Sequence, residues 1–480
     1  MFIKTKQKFK IKFKAFMSAL TFQHAVGYVF VVLGLLVGVL GFGGSARAEL
    51  INPATDLEYL GAFRLPDDTS GATYGWDYGL EAMTYYPKGD FNGSGDGYPG
   101  SIFASNHVYE KYVAEISIPV PVISKNLDDL NRATTLQNFH DINQGIYSTP
   151  YSEIEIEYLP RQGNQTSDKI YISWNSWYNV ADDDVDRYGW FELDLSNPNT
   201  QGLWNLGSGG VNIGTVGEFL FEIPQSWADL HTPGKLLITG KYREGGCGDG
   251  GFRYGGGPGM HAYGPWNQGN PPSPESVIEQ ITLLSYVGGH VWQCPNNDDM
   301  CKVRDKWEGG AWLTAGDKSA VVLTGVKGLG EDYYGESPNG CGGKGYHNLG
   351  GYKPYMLFYD PDDLADVAEG IKEPYEPQPY VTLDCGEYAF TSYDICRAGY
   401  SSAGYDREHG LLYVAEPHVD GPMAVIHVFS IKSETPPTRS NPQPTGTLSS
   451  GTTSTNISLD TNETATCRYS TTEGTAYGPM

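Results

Sequence analysis

An all-β fold, a five-bladed β-propeller whose N-terminal strand closes the last blade, is what this sequence predicts. Three observations carry that expectation. The composition is rich in turn formers and aromatics, with 62 Gly, 30 Pro and 34 Tyr. No stretch sustains a 3.6-residue apolar period beyond one short segment, "DPDDLADVAEGI" (360 to 371). Finally, a pattern of three short strands bounded by turns recurs five times, as repeated four-stranded units would require. Six or seven blades would need strands that the chain does not display.

The central member of each unit is an apolar run between turn signals: "GSIFASNH" (100 to 107), "DKIYISWNSW" (168 to 177), "GKLLITGKYR" (234 to 243), "KSAVVLTGVK" (318 to 327) and "GLLYVAEPHV" (410 to 419). A strand precedes each one: "GLEAMTYYP" (79 to 87), "YSEIEIEYLP" (151 to 160), "GEFLFEIP" (217 to 224), "GGAWLTAGD" (309 to 317) and "YSSAGYDREHG" (400 to 410). A third follows: "YVAEISIPV" (112 to 120), "RYGWFELDL" (187 to 195), the weaker "GMHAYGPW" (259 to 266), "YKPYMLFYDP" (352 to 361) and "MAVIHVFSI" (423 to 431). Fourth strands fit at 134 to 142, 202 to 208, 278 to 287 and 378 to 384. The fifth unit lacks its own, and the spare strand "LEYLGAFRLP" (57 to 66) supplies it.

Outside this domain, 49 to 432, the chain reads differently. Residues 1 to 48 combine a basic start, an apolar run and Ala46-Arg47-Ala48, the pattern of a secretory signal peptide cleaved before Glu49, with an uncleaved N-terminal anchor as the alternative. No later run is long enough to span a bilayer. Removing that segment leaves 25 Lys plus Arg against 57 Asp plus Glu, a formal charge of −32. Nucleic acid and anionic membrane are poor partners for such a surface, and a monomer that is secreted, periplasmic or at the cell surface is expected. Six of the seven Cys fall between 247 and 396 without a C-x-x-C pair, so up to three disulfides are expected in preference to zinc. A Pro-rich linker occupies 433 to 447.

The strand order also assigns faces. In a propeller, loops from second to third strand and from fourth strand to the next unit share one face. That face receives all six of these Cys and the two longest insertions, 244 to 260 and 328 to 351, as functional loops would be placed. On the opposite face "GDFNGSGDGYPG" sets Asp90, Asn92, Ser94 and Asp96 at alternate positions between glycines. Oxygen ligands spaced this way suit a structural calcium ion; a plain hairpin turn is the other reading. The acidic run "ADDDVDR" (181 to 187) reads as a solvated loop.

The blade order resembles five-bladed propellers in general, among them secreted glycosidases and lectins. More narrowly, "WDYGLEAMTYYP", "DGYPGSIF", "AEISIPVP", "GGAWLTAGDKSAVV", "LFYDPDDLADVA" and "EPQPY" resemble a group of secreted bacterial β-propeller proteins of uncharacterised activity, over roughly 57 to 431. That resemblance implies fold more than function. Residues 448 to 480, with "SLDTNETATCRYSTTEGTAY", look like the start of an Ig-like or chitobiase C-terminal-type module, which would leave Cys467 without a partner.

Nucleophile elbows, zinc-protease motifs and phosphate loops are missing from the sequence. The loop face offers instead Glu81, His107, Arg243 and His418 as candidate catalytic groups and Trp174, Trp177, Tyr242, His261 and Lys327 as candidate substrate contacts. Asp77, Glu153, Glu218 and Glu308 lie at or near the channel strands, with His347 and Glu416 also on the face. Paired carboxylates suit glycoside hydrolysis, a base with a cation suits a polysaccharide lyase, and aromatic platforms suit sugar binding alone. The expected function is binding or processing of an extracellular polysaccharide, against a non-enzymatic adhesion propeller or a metal-dependent hydrolase.

Overall fold

Five small antiparallel sheets stand in a ring in the computed structural model. It describes residues 48–90, 93–147, 153–174, 187–207, 216–241, 257–286, 302, 304–337, 340–432 and the short stretches 439–445, 447–453, 458–461, 468–469 and 478–479. The innermost strands are Met83–Tyr86, Ile154–Leu159, Val216–Glu222, Lys306–Ala315 and Ala403–Asp406. Each contacts the next, and the last returns to the first, so the cycle is closed: this is a five-bladed β-propeller.

Each blade adds strands outward in sequence order. Blade one continues through Ser101–Ser105, Tyr112–Ser117 and Thr135–Asp141, and blade two through Lys169–Trp174, Tyr188–Phe191 and Gln201–Leu206. Blade three adds Leu237–Lys241, Gly259–Tyr263 and Gln280–Leu284; blade four adds Lys318–Gly328, Tyr352–Tyr359 and Val381–Asp384. Blade five has Leu411–Asp420 and Met423–Ile431, and its outermost strand is the N-terminal Leu57–Arg64, paired from Leu57 with Ile431 to Arg64 with Val425. The closure expected from the spare strand is therefore what the molecule uses.

Register along that closing strand shifts between Tyr59 and Gly61. Gly61 has φ +118°, and a Cβ there would sit 2.3 Å from the Val122 carbonyl carbon, so the bulge requires glycine. Apolar side chains fill the gaps between blades. Phe103, Ile156, Ile172 and Trp174 pack blades one and two, while Phe63, Met83, Tyr413 and Ile426 pack blades five and one. Burial is near complete at these positions because both faces of each sheet are covered.

Several features exceed the sequence expectation. Val277–Ile278 does not begin the outer strand of blade three but leaves it to pair in parallel with Asn205 and Leu206 of blade two. Glu49–Leu50 pairs in parallel with Lys318 and Ser319 of blade four, beside a buried Lys318–Asp56 ion pair of 3.1 Å. Inside the long loop of blade four, Asp332–Gly335 and Gly345–Asn348 form a separate hairpin. The expected helix is Pro361–Ala368, capped by Asp360 accepting from the Asp362 amide at 2.8 Å. A second helix, Gln225–His231, is too short to register as a period in the sequence.

The cysteines match the expectation in part. Cys341 and Cys396 form a disulfide that ties the long loop of blade four to the segment leading into blade five, on the face foreseen. Cys385 instead is a buried thiol, packed against apolar side chains of blades four and five. Cys247, Cys294 and Cys301 lie outside the described residues. Beyond the propeller, Arg439–Gln443 pairs with Ser458–Thr461, and Arg468–Tyr469 with Gly478–Pro479.

Candidate functional site

At the mouth of the channel, on the loop face, the segment before the first inner strand meets two loops. Tyr74 and Tyr78 belong to that segment, His107 and Tyr109 to the second-to-third loop of blade one, and His418 to the end of the second strand of blade five. The His107 ring lies 4.6 Å from Tyr74, 4.5 Å from Tyr109 and 5.6 Å from Tyr78, measured between centroids. Tyr78 in turn is 5.3 Å from His418. The three tyrosines are 44%, 50% and 58% exposed, at Tyr74, Tyr78 and Tyr109 respectively, so this is an open aromatic crown and not core.

Backbone strain concentrates at the same place. Tyr78, Leu80, Lys111 and His418 all have positive φ, between 54° and 66°. Each such residue costs roughly 1–3 kcal/mol unless its surroundings fix it. Here they do. Tyr78 N donates to Pro422 O at 3.0 Å and Leu80 N to Ser105 O at 2.9 Å. The Ser401 and Ser402 hydroxyls both donate to the Leu80 carbonyl, at 3.0 and 2.8 Å. Glu110 clamps the crown's two blade-one segments, accepting from the amides of Thr73 (2.8 Å) and Tyr74 (3.3 Å) and from Asn106 Nδ2 (2.6 Å).

The imidazoles are set toward neutrality. The Tyr109 amide donates to His107 Nδ1 at 3.1 Å, so that nitrogen is unprotonated and any proton sits on Nε2. Burial lowers the His107 pKa against the opposing pull of Glu110 and Asp77; burial lowers that of His418 as well, helped by Arg397.

Behind the crown, the inner strands carry carboxylates into the channel. Glu81, Glu153, Glu155, Glu218 and Glu308 come from four different blades, and their electrostatic influence on one another marks them as one group. The alternation in "SEIEIEY" is the sequence cause: a period of two keeps Glu153, Glu155 and Glu157 on one side of a strand. Lys306 Nζ lies 3.4 Å from Glu153 and also contacts Glu308 directly, so one ammonium holds two carboxylates. Burial pushes Glu81 well above the usual carboxylate range, and Glu153 and Glu308 push it further against Lys306 and Lys111. Glu155 is raised for the same reasons, burial first and then the neighbouring carboxylates. Such a set places carboxyls whose burial favours the protonated form beside carboxylates paired to an ammonium. Half-buried Lys111 has its pKa lowered by burial while Glu81 and Asp141 oppose the shift.

The other end of the channel is built differently. Thr84 Oγ1 donates to Glu157 at 2.8 Å and the Glu222 amide donates to the same carboxyl at 3.1 Å. Arg407 closes this end, 3.0 Å from Glu222, donating to the Trp312 carbonyl at 2.9 Å and lying over the Tyr405 ring. Burial, with Glu222 beside it, pushes Glu157 up to about 8.

Among the candidates from sequence, Glu81, His107 and His418 are brought to this mouth. Trp174 is not: it is fully buried, stacked on Tyr147 at 5.6 Å between blades, because apolar alternation turns it into the core. His261 is buried in blade three, 3.1 Å from Thr282 Oγ1. Lys327 is buried too, 3.2 Å from Asp305 and donating to the Gly328 carbonyl. Glu416 sits inside blade five, accepting from the Phe390 and Thr391 amides and 2.8 Å from His427, whose other nitrogen meets the Tyr59 hydroxyl at 3.0 Å. Trp177, Tyr242, Arg243, Asn92 and the side chain of Ser94 lie outside the described residues. Asp90 accepts from the Gly93 amide and Asp96 from the Tyr98 amide, in the turn on the opposite face.

Sequence reasoning missed Tyr74, Tyr78, Tyr109, Glu110, Lys111, Glu155 and Lys306. The signal for Glu155 was present in the strand alternation. For the tyrosines nothing distinguishes them locally from the many Tyr that pack between blades.

No protein-family model matches the chain, and no curated protein matches it. Among solved structures, the Dos1 propeller aligns with 8% identity and a TM-score of 0.24 over 70% of this chain and 66% of that chain. The assignment of fold rests on the closed ring of sheets itself.

Proposed function

We propose that this protein is a carbohydrate-active propeller that binds an extracellular polysaccharide across the aromatic crown and cleaves it by hydrolysis at the channel carboxylates. The observation that carries the reading is the meeting of exposed Tyr74, Tyr78 and Tyr109 with His107 and His418 on the segment that leads into Glu81. Sugar rings stack on such faces, and a few polar groups orient them. Glu81, raised by burial among carboxylates, is suited to give a proton to a glycosidic oxygen, while Glu153 and Glu308 on Lys306 supply the carboxylate that acts as base or nucleophile. Secretion by the N-terminal 48 residues belongs to the same reading, as does calcium in the Asp90 to Asp96 turn; the Cys341–Cys396 disulfide supports an oxidising compartment.

The test is incubation of the protein with a panel of neutral, amino and acidic polysaccharides, with and without calcium. Retention is scored by pull-down and new oligosaccharides by mass spectrometry. Tyr78→Ala is expected to abolish retention, and Glu81→Gln to abolish products carrying added water while retention persists. Retention without products from the unaltered protein would make it a binding module, and no retention on any glycan would end the carbohydrate reading.

A further inference from the structure

We propose that the polysaccharide selected by this face is a cationic amino-sugar chain, in preference to a neutral or uronic acid one. The inference rests on the carbohydrate reading above and concerns the charge of the ligand.

The mouth pairs two features that together recognise an ammonium group on a sugar ring. The first is the set of open tyrosine faces, which attract cations through the ring quadrupole and also stack on the apolar face of a sugar. Their companions do not compete for that role: His107 accepts an amide hydrogen at Nδ1, and this geometry is that of a neutral imidazole. The second is the sign of the field behind them. Lys306 is shared by two carboxylates, Glu153 and Glu308, so it supplies no surplus positive charge; Glu81, Glu155 and Glu218 stand within electrostatic reach of this set, with Lys111 the other ammonium group there among the described residues. At the rim Asp77 and Glu110 stand near His107, and Arg397 near His418, so the rim does not reverse the sign. The chain as a whole carries −25. A cleft lined by one sign of charge between low-dielectric walls concentrates ligands of the opposite sign.

A uronate chain would bring further carboxylates against this set, where the acidic groups already repel one another. A neutral glycan would use the tyrosines and gain nothing from the channel. An amino-sugar polymer uses both.

Isothermal titration of the protein with oligomers of glucosamine, N-acetylglucosamine and galacturonate of equal length, at low and at high salt, decides the matter. Glucosamine oligomers are expected to bind about tenfold more tightly than N-acetylated ones at low salt, with the difference closing at high salt as screening removes the charge contribution. Glu153→Gln and Glu308→Gln are expected to narrow the preference for glucosamine over N-acetylglucosamine oligomers; the salt dependence of the unaltered protein tests the same point without any substitution. Equal affinity for charged and acetylated oligomers, or binding of galacturonate alone, overturns the proposal while the carbohydrate reading stands. Binding of none of the three at either salt, together with no retention in the wider panel, overturns both.

Discussion

Leu80 shows at the scale of one residue how this site is held. A leucine at φ +66° is strained, yet its carbonyl receives two serine hydroxyls from blade five and its amide is bound by blade one, so the conformation that delivers Glu81 to the channel is over-determined. Glu157, at the other end of the channel, carries a measurable consequence of burial. Its pKa in the folded protein stands at about 8 against an ordinary 4.5, so between those values the native state keeps a proton that the unfolded chain has released. That contribution to stability is fully present below pH 4.5, declines as pH rises and is gone above about 8. Urea unfolding of Glu157→Gln across this range is expected to show a shallower decline than the unaltered protein; an unchanged profile would remove Glu157 as its source.

At the scale of elements, the loop face is assembled from pieces that have little structure of their own. The hairpin Asp332–Gly335 with Gly345–Asn348 is two short strands, too small to be stable alone, and the Cys341–Cys396 bond fastens it to the lead into blade five across 55 residues of sequence. Cys396→Ser is therefore expected to lower stability by about 2–4 kcal/mol. Hydrogen exchange should rise within residues 332–348, while the inner strands of the other blades keep their protection. Uniform loss of protection through the ring would show instead that the disulfide holds the whole fold. The same scale explains Val277–Ile278. Ile278, which reads as the start of the outer strand of blade three, instead pairs together with Val277 along the edge of blade two.

Across the whole molecule, closure is the organising constraint. The ring is completed by eight residues from one end of the chain, Leu57–Arg64, laid on Met423–Ile431 from near the other end of the domain. Phe63 within that strand is fully buried in the layer between blades five and one. Phe63→Ala is expected to cost about 3–5 kcal/mol through lost burial and the cavity left behind. Because the strand closes the ring, that loss should appear in the unfolding transition of the entire propeller, followed by circular dichroism and tryptophan fluorescence together. Transitions that separate, with only blade five melting early, would show that closure is a local matter.

What the sequence determined by itself was the repeat: fifteen strand segments in the right blades, four outer strands, the closing strand, the face on which the long loop of blade four and the Cys341–Cys396 pair meet, and the acidic residues at the channel strands. Those features follow from local chemistry, namely alternation with period two, turn residues and spacing along the chain. Only the tertiary structure decided which aromatic residues are platforms and which are core. Trp174 and Tyr78 are alike as local signals, but the first points between two sheets and the second is held open by strained backbone at a three-way junction. It also decided that Lys327, His261 and Glu416 turn inward to satisfy buried partners, while Glu81, Glu153, Glu155, Glu218 and Glu308 converge. Such convergence depends on the angle at which five sheets meet around one axis, and no single strand contains it.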